Sequence, residues 1–348
     1  MLFFHSITLD ARRQLNLLKM EMLFPLNRGK ISISCIRSGK LDKPSFSPYF
    51  AIGIGVLSVS SAAIFVKLAN GTPPSIIAMY RLVIAVLLML PYVVFSKRHE
   101  FKHISKKDWI YSGLAGVFLA FHFILWFESL RYTSVASSVV LVTLQPIFAF
   151  IGTYIFFKER FTIGALVSML IAITGSVLIS WGDFQISGWA LFGDILALAG
   201  AIMVTGYFLL GQGIRKRLSL MTYTFIVYGA SSLTLIGYNL LLNQPFTGFP
   251  ADHWLLFLAL AIIPTFFGHT LFNWALKWVS TSTISASILF EPVGASILAY
   301  FILGEQVTLT QWLGGTIILL GLGLFISSTS RKRRATPPSP SHEGEGFH

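Results

Sequence analysis

Residues 135–162 read VASSVVLVTLQPIFAFIGTYIFFKERFT, and residues 281–308 read TSTISASILFEPVGASILAYFILGEQVT. Each is an apolar run long enough to cross ~30 Å of hydrocarbon at about 1.5 Å per residue. Each carries a proline near its middle and ends in a short turn holding a glutamate and a threonine. Sliding the chain against itself by 146 residues superposes 130–180 on 276–326 with 11 identities in 51 positions. Pro146 falls on Pro292, Tyr154 on Tyr300, Glu159 on Glu305, Thr162 on Thr308 and Gly175 on Gly321, while Gln145 falls on Glu291. Chance matching of Leu and Val does not produce that set, so the chain contains an internal repeat.

Outward from this pair the same pattern continues. Apolar stretches of spanning length lie at 49–69, 74–95, 109–130, 134–157, 161–181, 188–211, 220–242, 253–276, 281–303 and 309–328. The composition agrees: the 348 residues are 54% apolar and 11% charged, against roughly a quarter charged in a soluble domain, with a mean hydropathy of +0.72. The expected fold is therefore an all-α membrane protein of ten transmembrane helices. Strands of alternating polarity, which a barrel requires, are absent from the sequence pattern. Gly-rich span interiors such as Gly113 and Gly116, or Gly321 and Gly323, suit helices packed closely in lipid. The single cysteine, Cys35, permits neither an intramolecular disulfide nor a Cys-rich zinc site.

The net charge of +12 is read as topology. With both tails cytoplasmic, 23 of the 26 Lys and Arg fall in tails or cytoplasmic loops, leaving Lys67, Arg81 and Arg131. A cytoplasmic (inner) membrane location with cytoplasmic N- and C-termini follows, and nucleic acid is not an expected partner. Residues 1–47 form a basic tail, with a disordered segment, an over-extended start and an organellar transit peptide as alternative readings. Residues 48–182 and 186–328 form two five-helix repeats. The Pro- and Ser-rich 329–348 reads as a disordered cytoplasmic tail to which no metal is assigned. Since the repeat holds an odd number of spans, its two copies enter the membrane in opposite directions, the inverted arrangement of secondary transporters.

At this point the sequence resembles the EamA-like transporters of the drug/metabolite transporter superfamily. The resemblance covers 49–328 and rests on the ten spans in two repeats and on the stretches Gln145-Pro146 to Lys158-Glu159-Arg160-Phe161-Thr162 and Phe290-Glu291-Pro292 to Leu303-Gly304-Glu305-Gln306-Val307-Thr308, each followed by a Gly-containing apolar helix. It implies export or import of small metabolites, often amino acids or related amines, across the cytoplasmic membrane; efflux is the expected direction. Arg81 also matches a basic residue that the family often carries in its second span.

Five charged residues lie inside the spans: Lys67, Arg81, Glu128, Asp194 and Glu291. Lys67, Glu128 and Asp194 sit near span ends, where they can snorkel or pair, and Glu128 lies three residues from Arg131 on one face. Glu291 lies about ten residues into its span, roughly 15 Å deep. It could carry a proton or meet a substrate ammonium there, or serve as a hydrogen-bonded packing residue. Pro292 and Pro146 free the carbonyls of Ile288 and Val142, so both spans can bend and expose backbone acceptors. Arg81, with Tyr80 beside it, offers forked donors to a carboxylate or pairs with Glu291 or Glu128. His122 and Trp126 share a face of the third span, as Phe266, His269 and Asn273 do on the eighth; each histidine is either a helix–helix hydrogen bonder or a ligand or proton relay. Glu159 and Glu305 stand ahead of Thr162 and Thr308 in capping positions for the next helix.

These features favour a secondary transporter of a small polar metabolite, working by alternating access around Arg81, Gln145 and Glu291. The alternatives are a membrane-embedded enzyme, against which the absence of HExxH and GxSxG stands, and a channel, which would need a charge ring or carbonyl filter. No cofactor is expected, and proton coupling is left open. The partners are a small-molecule substrate and the lipid bilayer, with a homodimer compatible.

Overall fold

The computed structural model describes residues 44–133, 135–180, 188–304, 306 and 308–335. Every regular element there is helical. The first repeat comprises α1 (Pro48–Val59), α2 (Ala62–Leu68), α3 (Pro74–Tyr92) with a π-helical turn at Val93–Lys97, α4 (Arg98–Phe101), α5 (Lys106–Ser129), α6 (Val135–Val142), α7 (Gln145–Phe157) and α8 (Ile163–Ser180). The second comprises α9 (Gly188–Ile214), α10 (Leu220–Leu241), α11 (Ala251–Leu260), a π-helix at Ala261–Thr270, α12 (Leu271–Ala275), α13 (Thr281–Ile288), α14 (Glu291–Leu298) with a π turn at Ala299–Leu303, and α15 (Leu309–Ala335).

Among the described residues eight helices are long and apolar enough to cross a membrane, and Ile163–Leu178 and Trp312–Phe325 form two shorter apolar helices where the fifth and tenth spans were expected. The large exposed side chains are apolar along these helices, Leu87, Phe95, Leu233 and Phe301 among them, as a lipid-facing surface requires.

Short signals in the chain set the boundaries. Proline opens α1 and α3, where its missing N–H costs nothing. Ser105 caps α5 by accepting from the Asp108 amide at 3.1 Å. Lys158 (φ 55) and Gly304 (φ 71), 146 residues apart, end the matched helices in the same left-handed conformation, which glycine adopts freely and lysine only at a cost. Residues 329–335, expected in a tail, continue α15 instead. Residues 1–43 and 336–348 of the two expected tails, and Glu305 with its expected cap, lie outside the described residues.

Packing pairs the halves reciprocally. The α1 helix lies against the π-helix at 261–270 and α9 lies against α5, while α8 packs along α15. Gly175 and Gly321, matched in the repeat, make the last crossing possible. A Cβ on Gly175 would stand 2.6 Å from the Gly314 carbonyl oxygen, and one on Gly321 would stand 2.7 Å from the Ala172 nitrogen. Only hydrogen fits at either point.

Candidate functional site

Both repeat prolines interrupt their helices. The turn between α6 and α7 is Thr143–Leu144, and that between α13 and α14 is Leu289–Phe290, with Pro146 and Pro292 at the second position of the helix that follows. Each interruption is held from the other half in the same way. Ser60 donates to the Glu291 carbonyl at 3.3 Å, and Thr205, 145 residues further on, donates to the Gln145 carbonyl at 3.4 Å. Each hydroxyl also bonds the carbonyl four residues back in its own helix, at 2.8 Å.

These interruptions border a central cavity of about 30 Å³ to which Val142, Thr143, Gln145, Ile288 and Glu291 contribute, together with Arg81, His122, Trp126 and His269. Arg81 is fully buried. Its Nε donates to Thr265 Oγ1 at 2.7 Å, and its guanidinium carbon lies 4.3 Å from the centre of the Phe123 ring. Neither Arg81 terminal nitrogen has a hydrogen-bond partner among the described residues. The same holds for Trp126 Nε1, Gln145 Oε1 and His269 Nδ1. His122 donates through Nδ1 to the Gly200 carbonyl at 3.0 Å, and its ring centre lies 6.3 Å from that of His269. Buried polar groups are nearly always paired, so five unpaired groups around one cavity mark it as a place for a polar guest.

Toward the end of α2 and α5, a vestibule of about 980 Å³ is lined by Lys67, Asn70, Glu128, Arg131 and Tyr132, among others. Lys67 donates to the Leu130 carbonyl at 2.8 Å, and Glu128 pairs with Arg131 at 2.9 Å. Val66, Ile77, Ile124 and Phe127 also line it; Val66 and Ile77 stand one helical turn from the cavity-lining Ala62 and Arg81, and Phe127 adjoins the cavity-lining Trp126. At the opposite ends of these helices, carboxylates of the first half tie to the second. Glu100 accepts from the Ser219 amide and hydroxyl at 2.8 and 2.6 Å and from Thr222 Oγ1 at 2.8 Å. Asp108 pairs with Arg217 at 2.5 Å. Glu159 accepts from Ser280 and Ser282 at 2.9 and 3.1 Å. Its expected role as the cap of the next helix falls instead to Thr162, which accepts from the Ala165 amide at 3.1 Å. The longer glutamate reaches across to the start of α13.

Of the residues singled out in the sequence, Arg81, His122, Trp126, Gln145, His269 and Glu291 line the one cavity. Arg81 forms no ion pair with Glu291 or Glu128 among the described residues; its charge rests on Thr265 and the Phe123 face. Tyr80, one residue from Arg81 and so about 100° around the helix, points elsewhere: its hydroxyl donates to the Phe246 carbonyl at 2.5 Å and its ring stacks on Phe257. Asn273 is buried but is not among the residues lining the cavity; its Nδ2 donates to the Tyr207 hydroxyl at 2.5 Å. Thr265, Ser60 and Thr205 carry functions of geometry that the sequence reading missed. Pro264 in the eighth span was the one signal of an irregular helix around Thr265.

The profile of the EamA-like transporter family matches the chain twice, over residues 46–181 and 191–327. The chain is 26% identical over 272 residues to an uncharacterized transporter of Archaeoglobus fulgidus, covering 78% of this chain and 93% of that protein. It is 28% identical over 234 residues to the uncharacterized transporter YxxF of Bacillus subtilis, covering 67% of this chain and 74% of that one. A solved crystal structure of a protein superposes with a TM-score of 0.66 at 16% identity, covering 83% of this chain and 99% of the other, a likeness of fold. With one family match on each half and apolar helices along both, the chain is a multi-pass membrane protein and belongs to the EamA-like transporter family.

Proposed function

We propose that this transporter is a secondary exporter of a small, carboxylate-bearing polar metabolite such as an amino acid, held between Arg81 and Gln145 of the first half and Glu291 of the second. The convergence of unpaired donors and acceptors on one buried cavity carries this reading. A substrate carboxylate suits the two free guanidinium nitrogens, and a substrate ammonium suits the Glu291 carboxyl and Gln145 Oε1. Glu291 is also the group that would exchange a proton in a coupled cycle.

In this reading the chain crosses the membrane ten times, as two inverted halves, with α8 and α15 as the fifth and tenth crossings. The basic loops put the carboxylate ties on the cytoplasmic side of an inner membrane and the vestibule outside. A cavity of about 30 Å³ holds one water-sized molecule, whereas ligand sites occupy roughly 300–1,000 Å³. Rocking of the halves about the Ser60 and Thr205 contacts supplies the missing volume, opening the cavity to one side at a time. The test is counterflow in proteoliposomes of the purified chain across amino acids, amines, nucleosides and sugars. Exchange of amino acids that is lost in Arg81→Gln supports the reading; exchange confined to uncharged sugars or nucleosides removes it.

A further inference from the structure

We propose that Thr265 is a positioning residue for anion recognition: its hydroxyl holds Arg81 by Nε, so that the two terminal guanidinium nitrogens form an end-on fork for a substrate carboxylate. The proposal rests on the reading that Arg81 receives that carboxylate.

The geometry is specific. A carboxylate can meet a guanidinium end-on, through both terminal nitrogens, or side-on, through Nε and one terminal nitrogen. Thr265 takes Nε at 2.7 Å, which removes the side-on mode and leaves the end-on fork. The hydroxyl is itself fixed. It donates to the Leu260 carbonyl at 2.8 Å, so its proton points away from Arg81 and a lone pair faces Nε. Leu260 lies five residues back, the spacing of a π turn rather than an α turn, and Thr265 sits within the π-helix that follows Leu260. The Phe123 face, 4.3 Å from the guanidinium carbon, supports the group from a different helix. Held at Nε and over a ring, the side chain keeps its orientation without a carboxylate of its own, and both terminal nitrogens stay unpaired. An ion pair to Glu291 would consume the fork; the threonine does not.

The test uses the full-length protein in proteoliposomes, with α-amino acids as probes, each beside its carboxamide, which keeps the ammonium and lacks the carboxylate. Thr265→Val should raise the apparent KM for the transported acids about tenfold at a nearly unchanged maximal rate. It should leave the carboxamides unaffected, and Thr265→Ser should restore the wild-type KM. Wild-type protein that takes acid and carboxamide alike overturns the carboxylate reading and this role with it. A wild-type preference for the acid that Thr265→Val retains overturns the positioning role alone. So does an equal fall in maximal rate for acid and carboxamide that Thr265→Ser fails to relieve, since that outcome marks a packing residue. If Thr265→Val does not reach the membrane, Thr265→Ala replaces it under the same criteria.

Discussion

Arg81 and Glu291 border one cavity from different halves without pairing, and this separation gives each a distinct expected phenotype. Glu291→Gln keeps the shape and makes the second half match Gln145 of the first. If the carboxyl meets substrate or proton, transport should fall by about tenfold or more, while expression and thermal stability stay near wild type, because an ionisable group has left the hydrocarbon. Wild-type uptake with unaltered pH dependence in that variant would move the chemistry to Arg81 and the histidines. Glu291, Gln145 and the prolines could be found in the sequence because the repeat aligns them and because a carboxyl deep in a span is rare. Thr265, Ser60 and Thr205 could not. A hydroxyl in a membrane helix bonds its own carbonyl by default, and nothing in the sequence says which ones also reach a neighbour. Tyr80 was read with Arg81 because they are adjacent, although adjacent helical residues face different ways.

At the scale of the element, the spans were legible from hydropathy and the breaks at Pro146 and Pro292 from proline chemistry, whereas the π-helix at 261–270 has no hydropathy signal. The crossing of α8 and α15 was legible in part, since Gly175 and Gly321 stood out as matched glycines, but their contact partners required the fold. Gly321→Val should overpack that crossing and destabilise the protein by about 1–3 kcal/mol, read as a lowered thermal midpoint in detergent. Gly323, beside which a Cβ meets nothing within 4 Å, is the control, and Gly323→Ala should leave the midpoint unchanged or raise it. Equal effects of the two substitutions would mean that the close approach of these helices is not what holds them. A second expectation concerns the floor of the vestibule. Phe127→Ala removes a large apolar side chain from the vestibule lining and should raise labelling of a cysteine placed at Ala62 from the vestibule side.

Across the whole molecule, the two ends differ: one is open in a vestibule, and the other is tied by Glu100, Asp108 and Glu159. Glu100→Gln combined with Glu159→Gln keeps each side chain's size while weakening charge-assisted hydrogen bonds. In a Cys35→Ser background, the pair should increase labelling of a cysteine at Ala62 by an impermeant maleimide applied from the basic-loop side. Unchanged labelling would show that the ties do not hold that end shut. Orientation is tested separately by reporter fusions: those at Ser187 and Thr247 should report outside and one at Lys216 inside. The multi-pass, all-helical character could be read from the sequence because hydropathy is additive along a chain. The ties could not, since Glu159 is as well placed to cap its own helix as to cross to another.

The π-helix between Ala261 and Thr270 has a further consequence, which concerns counting rather than chemistry. A π turn accommodates more residues than an α turn, so the segment behaves as an insertion absorbed without a loop. Deleting one residue from it, for example Ile262, should let the segment relax to an α-helix while the chain beyond keeps its length within about 1.5 Å. Because the π turn has already absorbed the extra residue, the flanking α-helical segments would stay close to their present azimuth. Thr265 would then stand four residues from Leu260, in an α turn, and its hydroxyl would lose the π-turn spacing that aims it at Arg81 even though every side chain named above is still present.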